Sequence, residues 1–224
     1  MFVKICQITN EEDALLSVAM GADAVGFIFA PSPRQVSVRT VRDITPRLPT
    51  EVLTVGVFVN EAPERVIEIV QETGLQAAQL HGGTPEQTRA VRERVPTVIK
   101  AFAAGDPGVR RAHDHGAYAI HVDNHQPGSG KVFDWSLAED VPGGSRLILA
   151  GGLTAANVGD AIRAVHPWGV DVGTGVESSP GRKDPRKVMA FVAAVRAAAP
   201  DLDPDADASV GADADGPYDW RDDG

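Results

Sequence analysis

Cysteine is almost absent from this chain: Cys6 is the only one in 224 residues. No intrachain disulfide can form, and zinc sites built from several cysteines are excluded. A lone free thiol fits a reducing compartment. Long apolar runs are missing too. None reaches the roughly 18 residues that a membrane-spanning helix needs. The opening Met1-Phe2-Val3-Lys4-Ile5-Cys6 is too short and too soon polar for a signal peptide. The expectation is a cytoplasmic protein without a membrane partner.

Basic charge is also in short supply. The formal net charge is −10, and residues 201–224 carry nine of the acidic residues against one arginine. The acidity therefore belongs mainly to the tail, and residues 1–200 are nearly balanced. A body without a basic excess has nothing to drive binding along a phosphate backbone, so no nucleic-acid partner is expected. The tail itself, rich in Asp, Ala, Gly and Pro, cannot bury enough surface to offset its ordering entropy. It reads as a disordered acidic tail, 201–224, behind one domain, 1–200. It is either a solubilising extension or one without a role. Hydrophobic residues make up 43% of the chain, normal for a globular protein, and a body of this length needs no disulfide staples.

What is present alternates. Short apolar runs at Val3–Cys6, Ala24–Phe29, Leu53–Val59, Ala77–Leu80, Val98–Phe102, Ala119–Asp123, Leu147–Ala150 and Val170–Val172 read as strands buried on both faces. Amphipathic stretches between them read as helices: Glu11–Met20, Val38–Arg47, Glu64–Glu72, Pro85–Arg94, Pro107–His115, Ala155–Val165 and Pro185–Ala198. Around Trp135–Asp140 there is only a short helix candidate. Thr84-Pro85-Glu86-Gln87 spells a capping box, and Asp184-Pro185 opens the last helix. A phrase beginning with glycine recurs at Gly21, Gly74 and Gly116, with a shorter echo at Gly169. Eight strands in regular alternation favour an α/β fold of the (β/α)8 TIM-barrel type. A flavodoxin-like open sheet would leave segments over.

A barrel builds its active site at the C-terminal ends of its strands. That rule selects Cys6, Arg34, Asp123 and two glycine-rich turns, Gly151-Gly152-Leu153-Thr154 and Gly173-Thr174-Gly175. Loops after the seventh and eighth strands commonly bind phosphate, because glycine lets backbone N–H groups approach its oxygens and a following helix adds its dipole. The plainer reading is that these glycines make tight turns. Cys6 is either a small core hydrophobe or, if its neighbours favour ionisation, a base. Alternation puts Lys4 on the same side of the strand, either inside the barrel as a neighbouring charge or solvated at the other mouth. Asp123 is an acid or base, or a cap for the 126–131 loop. His81 and His121 read as structural. Arg34, in Pro31-Ser-Pro-Arg34, clamps a carboxylate or is solvated.

The residues then resemble a known family. Val3-Lys4-Ile5-Cys6-Gln7-Ile8-Thr9 is similar to the opening signature Lys-Ile-Cys-Gly-Ile-Thr of phosphoribosylanthranilate isomerases. Ser32-Pro33-Arg34, Gln79-Leu80-His81-Gly82, the run Gly128–Trp135, Gly151-Gly152-Leu153 and Asp171–Glu177 match further motifs in order, and the resemblance covers residues 2 to about 199. It implies an Amadori rearrangement of a small sugar-phosphate substrate, with no metal or nicotinamide cofactor, by a monomer or homodimer. It assigns the acid to Asp123, the base to Cys6, the anthranilate carboxylate to Arg34, and phosphate to Gly151, Gly152, Gly173, Thr174 and Gly175. The histidine-pathway isomerase, which does the same chemistry on a larger substrate, normally has an aspartate where Cys6 stands. A silent phosphate-binding module on the same fold would not need both Cys6 and Asp123. Two departures stand out: Gln7 where the family has glycine, and Gly173 where it usually has serine. If position 7 needs an unusual backbone angle, Gln7 is strained.

One expectation comes from the charge distribution alone. Removing Asp201–Gly224 should leave the melting temperature and turnover of the body intact while changing its solubility or its response to salt. Loss of folding on truncation would show that the tail packs on the body.

Overall fold

Near-continuous apolar segments become eight parallel strands that close on themselves: β1 Phe2–Ile5, β2 Ala24–Ile28, β3 Leu53–Val59, β4 Ala77–His81, β5 Thr97–Ala103, β6 Ala119–Asp123, β7 Leu147–Leu149 and β8 Gly169–Val172. The computed structural model describes residues 1–124, 135–138 and 140–199. The acidic tail, and with it the expected domain boundary at 200, lies outside the described residues. So do the 126–131 loop and all of the Gly128–Trp135 run but Trp135.

Each strand pairs with its sequence neighbour, and β1 pairs with β8 to close the ring, with Lys4 beside Asp171. Among the described residues, six α-helices cover the outside: α1 Glu11–Ala19, α2 Val38–Ile44, α3 Pro63–Thr73, α4 Pro85–Arg92, α5 Val158–Val165 and α6 Pro185–Ala198. The main core lies between strands and helices, where Val3, Ile5, Val25 and Phe27 meet residues such as Val41, Val188 and Phe191. A second cluster, with Phe2, Leu53, Ile99 and Ile148, plugs the barrel interior below the site.

Caps behave as their chemistry dictates. The Thr84–Gln87 capping box forms, and the Asp184 side chain accepts from the N–H groups of Arg186 and Lys187. Gly74 and Gly116 take the left-handed conformation at the ends of their segments. Three helical expectations need correcting. The second helix stops at Ile44 and continues as a 3-10 turn, Thr45–Arg47, because Pro46 has no N–H to continue the α ladder. Pro107–His115 is a 3-10 segment kinked at Arg111, with Asp106 capping Gly108. Finally, the helix expected from Ala155 begins at Val158. The Asn157 side chain accepts from the Thr154 N–H and donates to the Gly152 carbonyl, holding the preceding residues in a turn.

One glycine shows how little free space the barrel centre has. A Cβ on Gly26 would lie 2.7 Å from the Cys6 sulfur and 3.1 Å from Lys4 Nζ. Gly26→Ala should therefore cost about 1–3 kcal/mol, the usual range for overpacking a filled interior. Urea denaturation measures it. A variant as stable as its parent would mean that Lys4 and Cys6 have room to move.

Candidate active site

The strand ends open onto a cavity of about 1080 Å³. Cys6, Arg34 and Asp123 line it, and so do Gly151, Gly152, Gly173, Thr174 and Gly175. Of the residues selected from the strand ends, all but Thr154 thus reach one space. Cys6 stands just beyond β1 and Asp123 ends β6, three strands apart around the ring.

Beneath them lies a polar layer inside the barrel. The Lys4 ammonium is fully buried and donates to Asp171 Oδ2 at 2.8 Å, and His121 Nε2 meets the same oxygen at 2.8 Å. Lys4 therefore points into the barrel rather than to the opposite mouth. Burial opposes its charge, but Asp171 and the neighbouring Cys6 outweigh that cost and raise its pKa. Burial likewise opposes ionisation of Asp171, yet Lys4 and His121 bring its pKa down to about 2. An ion pair inside the barrel stays charged at neutral pH.

The groups above this layer are tuned the other way. Burial pushes the Cys6 thiol up, and Lys4, within hydrogen-bonding reach, only partly reverses it. Of the two sequence readings of Cys6, core thiol or base, its depth favours the protonated form and Lys4 the ionised one. Burial also raises the Asp123 carboxyl, although His121 and the Asn124 N–H, 2.7 Å from Oδ1, pull against it. His81, hydrogen-bonded to Gln79 at 2.9 Å, is held neutral, with a pKa of about 3, by burial and by the nearby His121 and Lys4.

At one end of the cavity the loops after β7 and β8 interlock. A Cβ on Gly175 would lie 1.9 Å from the Leu153 carbonyl oxygen, so only glycine lets the two turns meet. Gly151 and Gly152 take φ values of 93° and 68°, open to glycine. Thr174 and Gly175 begin a 3-10 turn, whose first N–H groups have no intrahelical partner. The Thr154 N–H is already used by Asn157 and is not available to a ligand. Lys183, buried behind this loop, donates to the Gly173 carbonyl at 3.0 Å and adds positive charge there. Gln7 does adopt a left-handed angle, φ 65°, as its departure from glycine implied.

Arg34 is neither solvated nor wholly free. Its Nε and Nη2 donate to Glu177 at 3.0 and 2.7 Å, which leaves Nη1 outside that pairing, and the residue lines the cavity. Glu177, Asp171 and Lys183 were not singled out for these duties from the sequence. Asp171 and His121 lie two residues before Gly173 and Asp123, as Lys4 lies two before Cys6. Strand alternation read backwards from the mouth residues marks this layer.

Comparison with known proteins places this geometry in context. The family model described as N-(5'-phosphoribosyl)anthranilate (PRA) isomerase matches residues 3–194. The N-(5'-phosphoribosyl)anthranilate isomerase of Desulforudis audaxviator is 48% identical over 204 residues, covering 88% of this chain and 98% of its own. The crystal structure of phosphoribosyl anthranilate isomerase from Thermus thermophilus matches with a TM-score of 0.82 at 40% identity, over 88% of this chain and 99% of that one. Another structure of such an isomerase, in complex with reduced 1-(o-carboxyphenylamino)-1-deoxyribulose 5-phosphate, matches with a TM-score of 0.77 at 41% identity and the same coverage.

The buried ion pair makes a testable demand on stability. Lys4→Met strands the Asp171 carboxylate and should cost about 3–5 kcal/mol in denaturant unfolding. Adding Asp171→Asn should recover part of that loss, because the stranded charge is gone. A cost under about 1 kcal/mol for Lys4→Met, as for a surface pair, would contradict the picture.

Proposed function

The chain belongs to the N-(5'-phosphoribosyl)anthranilate isomerase family, and on that footing we propose how its residues divide the work. The reaction is the Amadori rearrangement of N-(5-phosphoribosyl)anthranilate to 1-(2-carboxyphenylamino)-1-deoxyribulose 5-phosphate, a step of tryptophan biosynthesis. The observation that carries the division is a carboxyl raised by burial and a thiol beside a buried ammonium, both lining one cavity.

In this reading the Asp123 carboxyl protonates the furanose ring oxygen, and the ring opens to an iminium at C1. The Cys6 thiolate removes the C2 proton, and the iminium accepts the electrons to give an enolamine. Return of a proton from Cys6 to C1, with loss of the O2 proton to Asp123, gives the ketone and resets both groups. The iminium is the electron sink. The phosphate lies against Gly151, Gly152 and Gly173–Gly175, and Arg34 offers its Nη1 edge to the anthranilate carboxylate. No described helix is long and apolar enough to cross a membrane. We place the enzyme in the cytoplasm with its pathway.

The two roles predict the form of the pH profile. Both groups are raised, but a carboxyl starts far below a thiol. Turnover needs Asp123 as the acid and Cys6 as the thiolate, which is one tautomer of the singly protonated pair. That tautomer's share is constant between the two pKa values. It falls in acid, where both groups are protonated, and in alkali, where both are ionised. The fall of kcat/KM in acid is loss of the Cys6 thiolate, and the fall in alkali is loss of the Asp123 acid.

Asp123→Asn should remove the alkaline limb, leaving activity that rises with the thiolate, and Cys6→Ser the acid limb, leaving activity that falls as Asp123 ionises, each with a loss of roughly 10²–10⁴ in turnover. Both variants should still bind the reduced product analogue, because the phosphate and carboxylate contacts remain. Loss of anthranilate fluorescence follows turnover. Near-native turnover by Cys6→Ser would make the thiol a packed core residue and place the base elsewhere.

A further inference from the structure

Gln7 bears two costs that glycine would avoid. Its φ of 65° lies in the left-handed region that L side chains disfavour. Its amide oxygen Oε1 is buried and has no hydrogen-bond partner among the described residues. A residue held against both penalties points to use of its side chain. The position of that side chain is specific. A Cβ on Gly173 would lie 2.5 Å from Gln7 Cδ and 2.7 Å from both Nε2 and Oε1. The Gln7 amide therefore lies flat on Gly173 and fills the volume that a side chain at 173 would take. Both residues line the cavity beside Thr174 and Gly175, at the end where the two glycine turns meet.

We propose that Gln7 is a substrate-phosphate ligand, and that Gly173 is its obligatory partner because only glycine leaves room for the amide. The amide nitrogen of Gln7, unlike its oxygen, is not buried without a partner, and the residue lines the cavity, so its N–H groups are placed to donate to a phosphate oxygen. The hydroxyl that Gly173 cannot supply is replaced by an amide reaching over from the first strand. Gln7 also directly follows Cys6, so an anchored phosphate steadies the backbone that aims the thiol. This inference rests on the reading that places phosphate at these turns, and the experiment separates the two.

The probes are inorganic phosphate as a competitor and phosphoribosylanthranilate as substrate, measured with the full chain near pH 8, where a glutamate is ordinarily ionised. Competitive inhibition of the parent by phosphate supports the phosphate site. Its absence removes that site and the proposal with it. Gln7→Glu keeps the shape but sets a negative charge against the phosphate. It should raise KM and the phosphate inhibition constant about tenfold or more, with the loss in KM rather than kcat. Gln7→Gly should raise both constants less, and should raise the melting temperature because the backbone strain is gone. Gly173→Ser should be damaging beside Gln7 and tolerated beside Gln7→Gly, where its hydroxyl should recover part of the phosphate affinity. If Gln7→Glu binds phosphate as the parent does, or if Gly173→Ser is equally harmful in both backgrounds, Gln7 is only packing and the proposal falls.

Discussion

A buried carboxylate organises this barrel. Asp171 Oδ2 receives the Lys4 ammonium from one strand and His121 from another, each at 2.8 Å. Taking these charges out of water is costly, and an apolar layer of the same volume would often be at least as stable. The gain is electrical. The layer fixes a positive charge directly under the only thiol in the chain, and it sets one edge of the environment around Asp123. Its space is shared with Gly26, whose missing side chain leaves room for both Lys4 and Cys6. The apolar plug of Phe2, Leu53, Ile99 and Ile148 then closes the barrel below it.

Much of this was legible in the residues, and the reasons are local. Strands such as Leu53–Val59 and Ala119–Asp123 match their apolar runs because burial on both faces leaves little choice of residue. Thr84–Gln87 and Asp184 announced their helices through capping chemistry that needs no tertiary partner. The failures are where a distant or specific side chain decides. Asn157 ties down the turn after β7 and delays α5 to Val158, and a periodicity argument cannot see that bond. Arg34 was expected to clamp a carboxylate or be solvated; its forked edge does hold a carboxylate, but that of Glu177, far along the chain, which the sequence could not name. The ionisation of Cys6 was left open along the sequence because depth of burial, which opposes the Lys4 charge, is a property of the closed barrel.

The two departures from the family pattern, Gln7 and Gly173, looked separate along the chain. In space they are one event, since the side chain of the first fills the place vacated by the second. The same logic of close approach governs Gly175 against the Leu153 carbonyl. The phosphate end of the pocket is thus shaped by backbone that only glycine permits, with one strained glutamine set into it. The acid–base end is shaped by buried charge. Local conformation sets where a substrate would sit, and electrostatics sets when its protons could move.

The central claim is that burial, opposed by Lys4, holds the Cys6 proton in the resting enzyme. With a single cysteine in the chain, ultraviolet absorbance of the thiolate reports that one group without interference from another thiol. Titration of the folded, unliganded protein should show thiolate appearing only above the ordinary thiol range. A thiolate already formed at neutral pH would contradict the account, because the Lys4 charge would then outweigh burial.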